Sequence, residues 1–314
     1  MKMLGGIVMK FKTKPKIGIL GLSGQSIFMT VDHFHEKGET IHAKTIYQEP
    51  GGKGYNQAVA AARLGGDVFY LSSVGKDEYA DICEKQLDME GIKHRLVRKG
   101  NASTSLATIL TDRNGQNQVT VFSGASSLLD EDDVFACEEY LKTCDMLLLQ
   151  LEVPYNALIA VLVLAERYDI PVILNPAPAL KLNFKMYKRF LLITPNEQET
   201  KLILGVDGSP EPKELVEAFS DKGIRKVVVT LGGDGCLIID DGKHTHIPAM
   251  DVQVVDTTGA GDVFNAALAV NLASGEDLIA AARFATVASG LSVQGKGVLK
   301  SIPTEKDIAL INLK

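Results

Sequence analysis

The chain has 314 residues, of which 46% are hydrophobic, so it can bury a large core as one α/β unit or as two smaller domains. Its 33 Lys and Arg residues are scattered among 39 Asp and Glu residues, and the net charge of −6 disfavours nucleic acid binding through a basic surface. The longest apolar helical pattern, residues 157–165, is about half as long as a bilayer requires. We therefore expect a cytoplasmic protein without a membrane partner.

Short apolar runs followed by turn residues predict the strands of a central sheet that is covered on both faces. These runs span residues 16–20, 68–75, 146–151, 171–176, 191–197 and 226–232. Helical patterns alternate with them, at residues 56–65, 80–91, 156–169, 212–223 and 261–275. This alternation is typical of a mostly parallel sheet with right-handed crossovers.

Two stretches break the alternation and predict a small β-lid. Residues 39–49 and 105–124 favour strands without intervening helices, and the second stretch predicts a hairpin around Asn114 and Gly115. These strands are too few to form a core of their own. We therefore predict a single domain over residues 1–314, with a lid formed by about 24–50 and 103–124.

The N-terminus and two residue types need separate interpretation. Residues 1–16 lack a small-residue exit site, so no signal peptide is predicted, and Met9 is an alternative start. The cysteines form no C-x-x-C pair and are predicted to be buried, reduced thiols: Cys83, Cys137, Cys144 and Cys236. Two H-x-H pairs lack a third ligand nearby, so ordinary strand histidines are favoured over a metal site: His33 with His35, and His244 with His246.

The stretch VVDTTGAGDVFNAALAV, residues 254–270, carries the strongest chemical signal. A strand delivers Asp256, and Gly259 and Gly261 then open a helix with Asp262 in its first turn. Free N–H groups at a helix start bind anions, and Asp262 could accept a proton from an attacking hydroxyl there. The alternative is that Asp262 only complements the helix dipole.

Two further glycine-rich stretches could contact a ligand. TLGGDG, residues 230–235, lies between strands, which excludes a dinucleotide loop and leaves either a mononucleotide pocket wall or a simple hairpin turn. In PGGKGYNQAVAAARLG, residues 50–65, Lys53 and Asn56 could donate to ligand oxygens, although the P-loop pattern is absent. The alternative is a flexible entry to an alanine-rich core helix.

Together these motifs resemble the PfkB family of sugar kinases, and most of all its ribokinases. GGKGYNQAVAAARLG, QLE, LNPAPA, TPNEQE, TLGGDG and DTTGAGDVFNAAL stand in the family's order and spacing over about residues 16–305. The resemblance implies a ribokinase-like three-layer α/β/α sandwich with a mostly parallel central sheet and a small β-lid. It also implies ATP-dependent phosphorylation of a hydroxyl of a small sugar.

The resemblance also implies roles for individual residues. Asp262 would be the catalytic base, with Gly259, Ala260 and Gly261 forming the anion hole. Mg²⁺ would arrive with ATP, and Asn196 and Glu199 would organise its waters. The nucleotide would contact Thr230, Gly232, Gly233, Gly235, Gly261 and Thr286. K⁺ would be held by Asp256, by the backbone oxygens of Thr258, Ser292, Gly295 and Gly297, and by Ser301.

On the sugar side the resemblance is partial. Sugar-contacting positions are matched by Gly52, Lys53, Gly54, Asn56, Glu152 and Asp262. GLSGQS, residues 21–26, departs from the usual G-S-I-N-x-D, because Gly24 stands on the Asn and Ser26 on the Asp. A serine cannot replace both acceptors of a carboxylate, so ribose is less favoured. The absent Asn side chain is also expected to open space at Gly24.

Three functions remain open on the sequence. The first is a sugar kinase, the second is a nucleoside kinase of the same superfamily acting for example on pseudouridine, and the third is a non-catalytic sugar or nucleotide sensor. The resemblance further implies a homodimer through the lid, because an exposed lid strand can pair with a second copy.

Overall fold

The computed structural model describes residues 14–180, 182–208 and 210–311. The N-terminal stretch with the alternative start Met9 lies outside the described residues. Within these ranges, no helix has both the length and the apolar character needed to cross a membrane.

The described strands are, in chain order, β1 (Lys16–Leu20), β2 (Gly24–Thr30), β3 (Thr45–Gly51), β4 (Asp67–Val74), β5 (Lys93–Arg98), β6 (Ser105–Thr111), β7 (Asn117–Phe122), β8 (Met146–Leu149), β9 (Val172–Leu174), β10 (Leu192–Ile193), β11 (Lys226–Thr230), β12 (Cys236–Asp240) and β13 (Lys243–Ile247).

The described α-helices are α1 (Lys53–Arg63), α2 (Glu78–Met89), α3 (Glu131–Phe135), α4 (Glu138–Leu141), α5 (Tyr155–Tyr168), α6 (Phe184–Tyr187), α7 (Glu197–Leu204), α8 (Pro212–Asp221), α9 (Ala260–Ala273), α10 (Leu278–Ser292) and α11 (Glu305–Ile311).

The large sheet has the strand order β13-β12-β11-β10-β9-β8-β1-β4-β5. Every pair from β11 to β5 is parallel, and β12 and β13 add an antiparallel edge. Parallel strands need long crossovers, and the helices supply them. The prediction of a mostly parallel central sheet is confirmed.

Helices cover both faces of this sheet. Along β8, Met146 and Leu148 belong to one core, with α1, α9 and α10, while Leu147 and Leu149 belong to the other, with α5 and α8. This alternation follows from the two-residue period of a strand, which sends successive side chains to opposite faces. The result is the predicted three-layer sandwich.

A second sheet has the strand order β3-β2-β6-β7. In this small sheet β2 runs parallel to β6, and the two outer pairs are antiparallel. The predicted hairpin joins β6 to β7, with Gly115 at φ 77°, and the Asp112 side chain accepts hydrogen bonds from the N–H groups of Asn114 and Gln116. The inner face of the small sheet packs against Val298 through Phe28 and Ile109.

Several predicted boundaries are wrong. Residues 24–26, for which no strand is predicted, belong to strand β2, because Gly24 pairs with both Gly51 and Ser105. The strand predicted over 39–49 begins only at Thr45 and extends to Gly51. The strand predicted over 191–197 ends at Ile193, because the Asn196 side chain caps helix α7.

The cysteines are all buried and free, as predicted. The histidine pairs carry local hydrogen bonds: the Nε2 atom of His33 lies 3.0 Å from Oε1 of Glu39, and Nε2 of His246 lies 2.7 Å from the Asp234 carbonyl oxygen.

Candidate active site

The site lies where the carboxyl ends of the parallel strands meet the start of helix α9. Gly259 precedes this helix with φ 78°, and a Cβ there would lie 2.5 Å from Cγ1 of Val298, so both conformation and space require glycine. The first N–H groups of a helix lack intrahelical acceptors and carry the positive end of the dipole. The N–H of Ala260 makes a 3.2 Å contact with the Thr257 carbonyl, and Asp262 follows in the same turn.

The Asp262 carboxylate is buried and held by two amide side chains of helix α1. Nδ2 of Asn56 donates to Oδ2 at 2.9 Å, and Nε2 of Gln57 donates to Oδ1 at 3.1 Å. Burial raises the pKa of Asp262, because desolvation disfavours the charged form, while the Lys53 ammonium and the two amide donors act in the opposite direction. The group is therefore a stronger base than an exposed aspartate.

Lys53 begins helix α1 and lies among three carboxylates. Its backbone N–H donates to Oε2 of Glu152 at 2.8 Å. Burial acts to lower the pKa of Lys53, but Asp262, Glu152 and Glu199 outweigh it, and the pKa is raised. Burial raises the pKa of Glu152 to about 7 in spite of the Lys53 charge. The Lys53 ammonium thus favours the ionised form of three nearby carboxyl groups, against the effect of their burial.

Glycines bring the predicted sugar-contacting segments into close contact. A Cβ at Gly52 would lie 2.2 Å from the Leu22 carbonyl oxygen, and Gly52 has φ 119°. A Cβ at Gly54 would lie 2.5 Å from Cα of Gly21. Larger residues would therefore separate the GGKG segment from the loop that follows β1.

The prediction of open space at Gly24 is wrong. A Cβ at this position would lie 2.4 Å from the Ser105 carbonyl oxygen, because β6 packs directly against β2. Ser26 is buried, and its Oγ would lie 2.5 Å from a Cβ at Gly51. Oδ1 of Asn56, close to the same point, is buried and has no hydrogen-bond partner among the described residues.

A cavity of about 680 Å³ opens beside the start of α9. All six predicted nucleotide-contacting residues line it, namely Thr230, Gly232, Gly233, Gly235, Gly261 and Thr286, together with Asn196. Glu199 does not line it. Sequence analysis missed an apolar part of the wall, which includes Ala249, Met250, Val252 and Val254, and no periodic pattern there gave a signal.

TLGGDG turns between β11 and β12, as the strand-turn-strand interpretation requires. Gly235 has φ 90°, and a Cβ there would lie 2.0 Å from the Ile247 carbonyl oxygen. A Cβ added at Gly232 or Gly233 would meet nothing within 4 Å, so these two glycines stand in open space beside the cavity.

Asn196 and Glu199 form a reciprocal capping box at the start of helix α7. The Glu199 N–H donates to Oδ1 of Asn196, and the Asn196 N–H donates to Oε2 of Glu199, both at 2.8 Å. Burial raises the pKa of Glu199, against the effect of Lys53. Each side chain keeps a second polar atom that the capping box does not use.

The predicted potassium ligands belong to two segments: Asp256 and Thr258 precede α9, whereas Ser292 ends α10 and Gly295, Gly297 and Ser301 lie in the loop between α10 and α11. Asp256 accepts from the N–H groups of Thr258 at 2.9 Å and Gly297 at 3.2 Å. The Ser301 Oγ is buried without a hydrogen-bond partner in the described part of the chain, and a Cβ at Gly295 would lie 2.4 Å from it. A buried oxygen without a hydrogen-bond partner suits a cation.

The same loop contacts the small sheet through a residue that sequence analysis missed. The Val298 N–H donates to Oε1 of Glu49 at 2.7 Å. Burial raises the pKa of Glu49, while the Val298 and Leu299 N–H groups lower it. The available sequence signal for this contact was a charged residue, Glu49, at the end of the strand predicted over 39–49.

Comparison with known proteins defines the class of enzyme. The sequence profile described as pfkB family carbohydrate kinase matches residues 20–305. The chain belongs to this family, whose members are ATP-dependent phosphotransferases that act on sugar hydroxyls.

Within the family the chain is similar to pentose kinases. It is 35% identical over 292 residues to the ribokinase of Haemophilus influenzae, covering 92% of this chain and 95% of that protein. It is 33% identical over 292 residues to the deoxyribokinase of Salmonella typhi, with coverage of 92% and 95%. The structure of Arabidopsis thaliana ribokinase complexed with ribose and ATP superposes with a TM-score of 0.85, at 29% identity, over 96% of this chain and 99% of that one.

Proposed function

We propose that the protein transfers the γ-phosphoryl group of ATP to a hydroxyl of a small sugar, with Asp262 as the base. The observation that carries this proposal is the buried Asp262 carboxylate, held by Asn56 and Gln57 at the start of α9 beside a cavity of about 680 Å³. Asp262 takes the proton of the acceptor hydroxyl, the hydroxyl oxygen bonds to the γ-phosphorus, and ADP leaves. Backbone N–H groups at Gly259, Ala260 and Gly261 stabilise the negative charge on the transferred group.

The remaining polar residues bind and orient the two substrates. ATP occupies the cavity against Thr230, Gly232, Gly233, Gly235 and Thr286. The Mg²⁺ that accompanies ATP fits the hard oxygen of Glu199 left free by the capping box, with Asn196 beside it, through bound waters. Lys53 balances the negative charge of the phosphates and of the neighbouring carboxylates.

The acceptor lies between the GGKG segment and strand β2. Gly52, Lys53, Gly54, Asn56 and Glu152 line this position, and Gly24 and Ser26 belong to its edge. The Asn56 Oδ1 without a partner is an acceptor for a sugar hydroxyl. Because Ser26 offers fewer acceptor sites than a carboxylate, a pentose with fewer hydroxyl groups, such as 2-deoxyribose, is the acceptor class we favour. The Salmonella relative named as a deoxyribokinase supports this choice.

The nucleoside alternative loses its main support. It relied on space for a base at Gly24, and Ser105 fills that space. A sensor without turnover is disfavoured by the buried, amide-bound Asp262.

Two features of the small sheet complete the proposal. We propose that the small sheet, within the single domain, is a lid over the acceptor. Its strand β3 ends at Gly51, and Gly52 alone separates it from Lys53. We also propose that a second copy pairs with it, because β3 and β7 are edge strands and Ile46, Val119 and Phe122 are exposed on them.

Replacing the base tests its role. Asp262→Asn should lower kcat by about 10²- to 10⁴-fold, the usual contribution of a general base, because an amide cannot take the proton. The affinity for ATP, measured by calorimetry, should stay within about twofold of wild type. The control is Asp277→Asn, which changes a capping carboxylate of helix α10. A wild-type kcat in Asp262→Asn would contradict the base assignment and would mean that Asp262 only complements the helix dipole.

The missing carboxylate at Ser26 can be restored. Ser26 stands opposite Glu49 in the β2–β3 pair, so a second carboxylate there would be repelled unless Glu49 is neutralised. Ser26→Asp combined with Glu49→Gln should raise kcat/KM for ribose about tenfold over Glu49→Gln alone, since a charge-assisted hydrogen bond contributes about 1.5–3 kcal/mol.

Wild-type enzyme should prefer 2-deoxyribose in a screen of pentoses, hexoses and nucleosides. A strong preference for ribose, or for a nucleoside, would contradict the acceptor assignment.

Potassium should activate the enzyme. We expect a higher kcat in K⁺ than in Na⁺ buffer, because a fixed cation beside Asp256 strengthens the anion hole. Ser301→Ala should require more K⁺ for half-maximal activation, whereas Ser127→Ala, at an exposed surface hydroxyl, should not. Equal rates in Na⁺-only and K⁺ buffers would refute the site.

The dimer can be tested by sedimentation. The wild-type protein should sediment as a dimer at micromolar concentration, and Val121→Lys on β7 should dissociate it because a charge there would have to be buried. Val163→Lys, on the exposed surface of α5, serves as the control. A monomeric wild-type protein would argue against the pairing.

A further inference from the structure

A row of buried polar side chains runs along the carboxyl edge of the large sheet. We call it the amide row, and its members are Gln57, Gln150, Asn175, Thr194 and Asn265. Gln150, Asn175 and Thr194 each directly follow one of the adjacent parallel strands β8, β9 and β10. All five side chains are buried, and Gln57 is fully inaccessible.

Hydrogen bonds connect the row from end to end. Nε2 of Gln150 donates to Oε1 of Gln57, and Nε2 of Gln57 donates to Oδ1 of Asn175 at 3.2 Å. Nδ2 of Asn175 donates to the Thr194 carbonyl at 3.3 Å, and the Thr194 hydroxyl donates to Oδ1 of Asn265. The row therefore links helix α1 to helix α9 across three strands.

The row reaches the first turn of α9 at two points. Near one end Gln57 donates to Oδ1 of Asp262 at 3.1 Å. At the other end Nδ2 of Asn265 donates to the Gly261 carbonyl at 2.8 Å. The row thus contacts both the carboxylate and the backbone of the turn that would hold the transferred group.

The orientation of the Gln57 amide is fixed by its partners. Its oxygen accepts from Gln150, and its nitrogen faces two acceptors, Asp262 and Asn175. A rotated amide would direct its oxygen at the carboxylate and lose all three hydrogen bonds. Because Asn56 holds the other oxygen of Asp262, consecutive residues of α1 fix both carboxylate oxygens.

We propose that Gln57, held by Gln150 and Asn175, is a positioning residue that aligns Asp262 for proton transfer. This inference rests on the proposed function, in which Asp262 is the base. The row also brings together five motifs that are distant in the sequence, since GGKGYNQ, QLE, LNPAPA, TPNEQE and DTTGAGDVFNAAL each contribute one member.

The test replaces the donor without changing the size of the side chain. Gln57→Met should lower kcat about tenfold or more, while KM for ATP stays within about twofold, because the base is misaligned and the nucleotide cavity is untouched. The acid limb of kcat should move to higher pH, because a donor that stabilised ionised Asp262 is gone. The other charged groups acting on Asp262 are Lys53, Glu152 and Glu199, and the substitution leaves them in place.

A second variant and a control separate positioning from a merely structural role. Gln57→Glu keeps the size and adds a negative charge beside Asp262, so the acid limb should move further upward than in Gln57→Met. Asn271→Ala removes a buried amide further along α9 that donates to the Ala267 carbonyl at 3.1 Å. It should lower the unfolding temperature and leave kcat and the acid limb unchanged.

The outcomes distinguish this inference from the proposed function. Wild-type kcat and an unmoved acid limb in Gln57→Met, with Asp262→Asn inactive, would overturn the positioning role alone. An active Asp262→Asn would overturn the base assignment and this inference with it. A moved acid limb in both Gln57 variants, with Asn271→Ala unchanged, would support the positioning role.

Discussion

Burial of the Asp262 carboxylate constrains the packing around the start of α9. A buried charge is costly unless hydrogen-bond donors surround it, and here two amides from α1 meet its two oxygens. Short amide side chains can reach only if the two helices approach closely. Ala58 and Ala61 on α1 and Ala266 and Ala269 on α9 all lie in the same buried core, and such small residues allow that approach. The two hydrogen bonds to Asp262 and the alanine-rich packing of α1 against α9 therefore both depend on the close approach of these helices.

The acceptor position depends on a second kind of close approach, between backbones. Gly54 meets Gly21, Gly52 meets Leu22 and Gly24 meets Ser105, at distances that leave no room for a Cβ. The first two contacts join the GGKG segment to the loop that follows β1, and the third lies between β2 and β6 of the small sheet. In the proposed function, backbone groups therefore form much of the acceptor wall, and the polar side chains of Asn56 and Ser26 are the candidates that set its specificity.

Sequence patterns were sufficient for the buried parallel strands of the large sheet and for the start of α9, because such strands are continuous apolar runs and a glycine-Asp helix start is local. They failed for β2, where Gly24, Gln25 and Ser26 have low strand propensity and pairing to two neighbours overrides it. They also missed β5, the polar edge strand Lys93–Arg98. The amide row could not be found, because it depends on the spatial order of β8, β9 and β10. Polar residues directly after apolar strands were its only signal.

One loop joins the acceptor side of the molecule to the start of α9. Glu49, on the strand that leads into the GGKG segment, accepts the Val298 N–H, and the preceding N–H, from Gly297, binds Asp256. The Val298 side chain in turn packs against Gly259. A movement of the small sheet would therefore either break the Glu49–Val298 hydrogen bond or displace the loop that carries the candidate cation ligands. In the proposed function, this contact connects the acceptor side to the turn that begins α9, which carries Asp262.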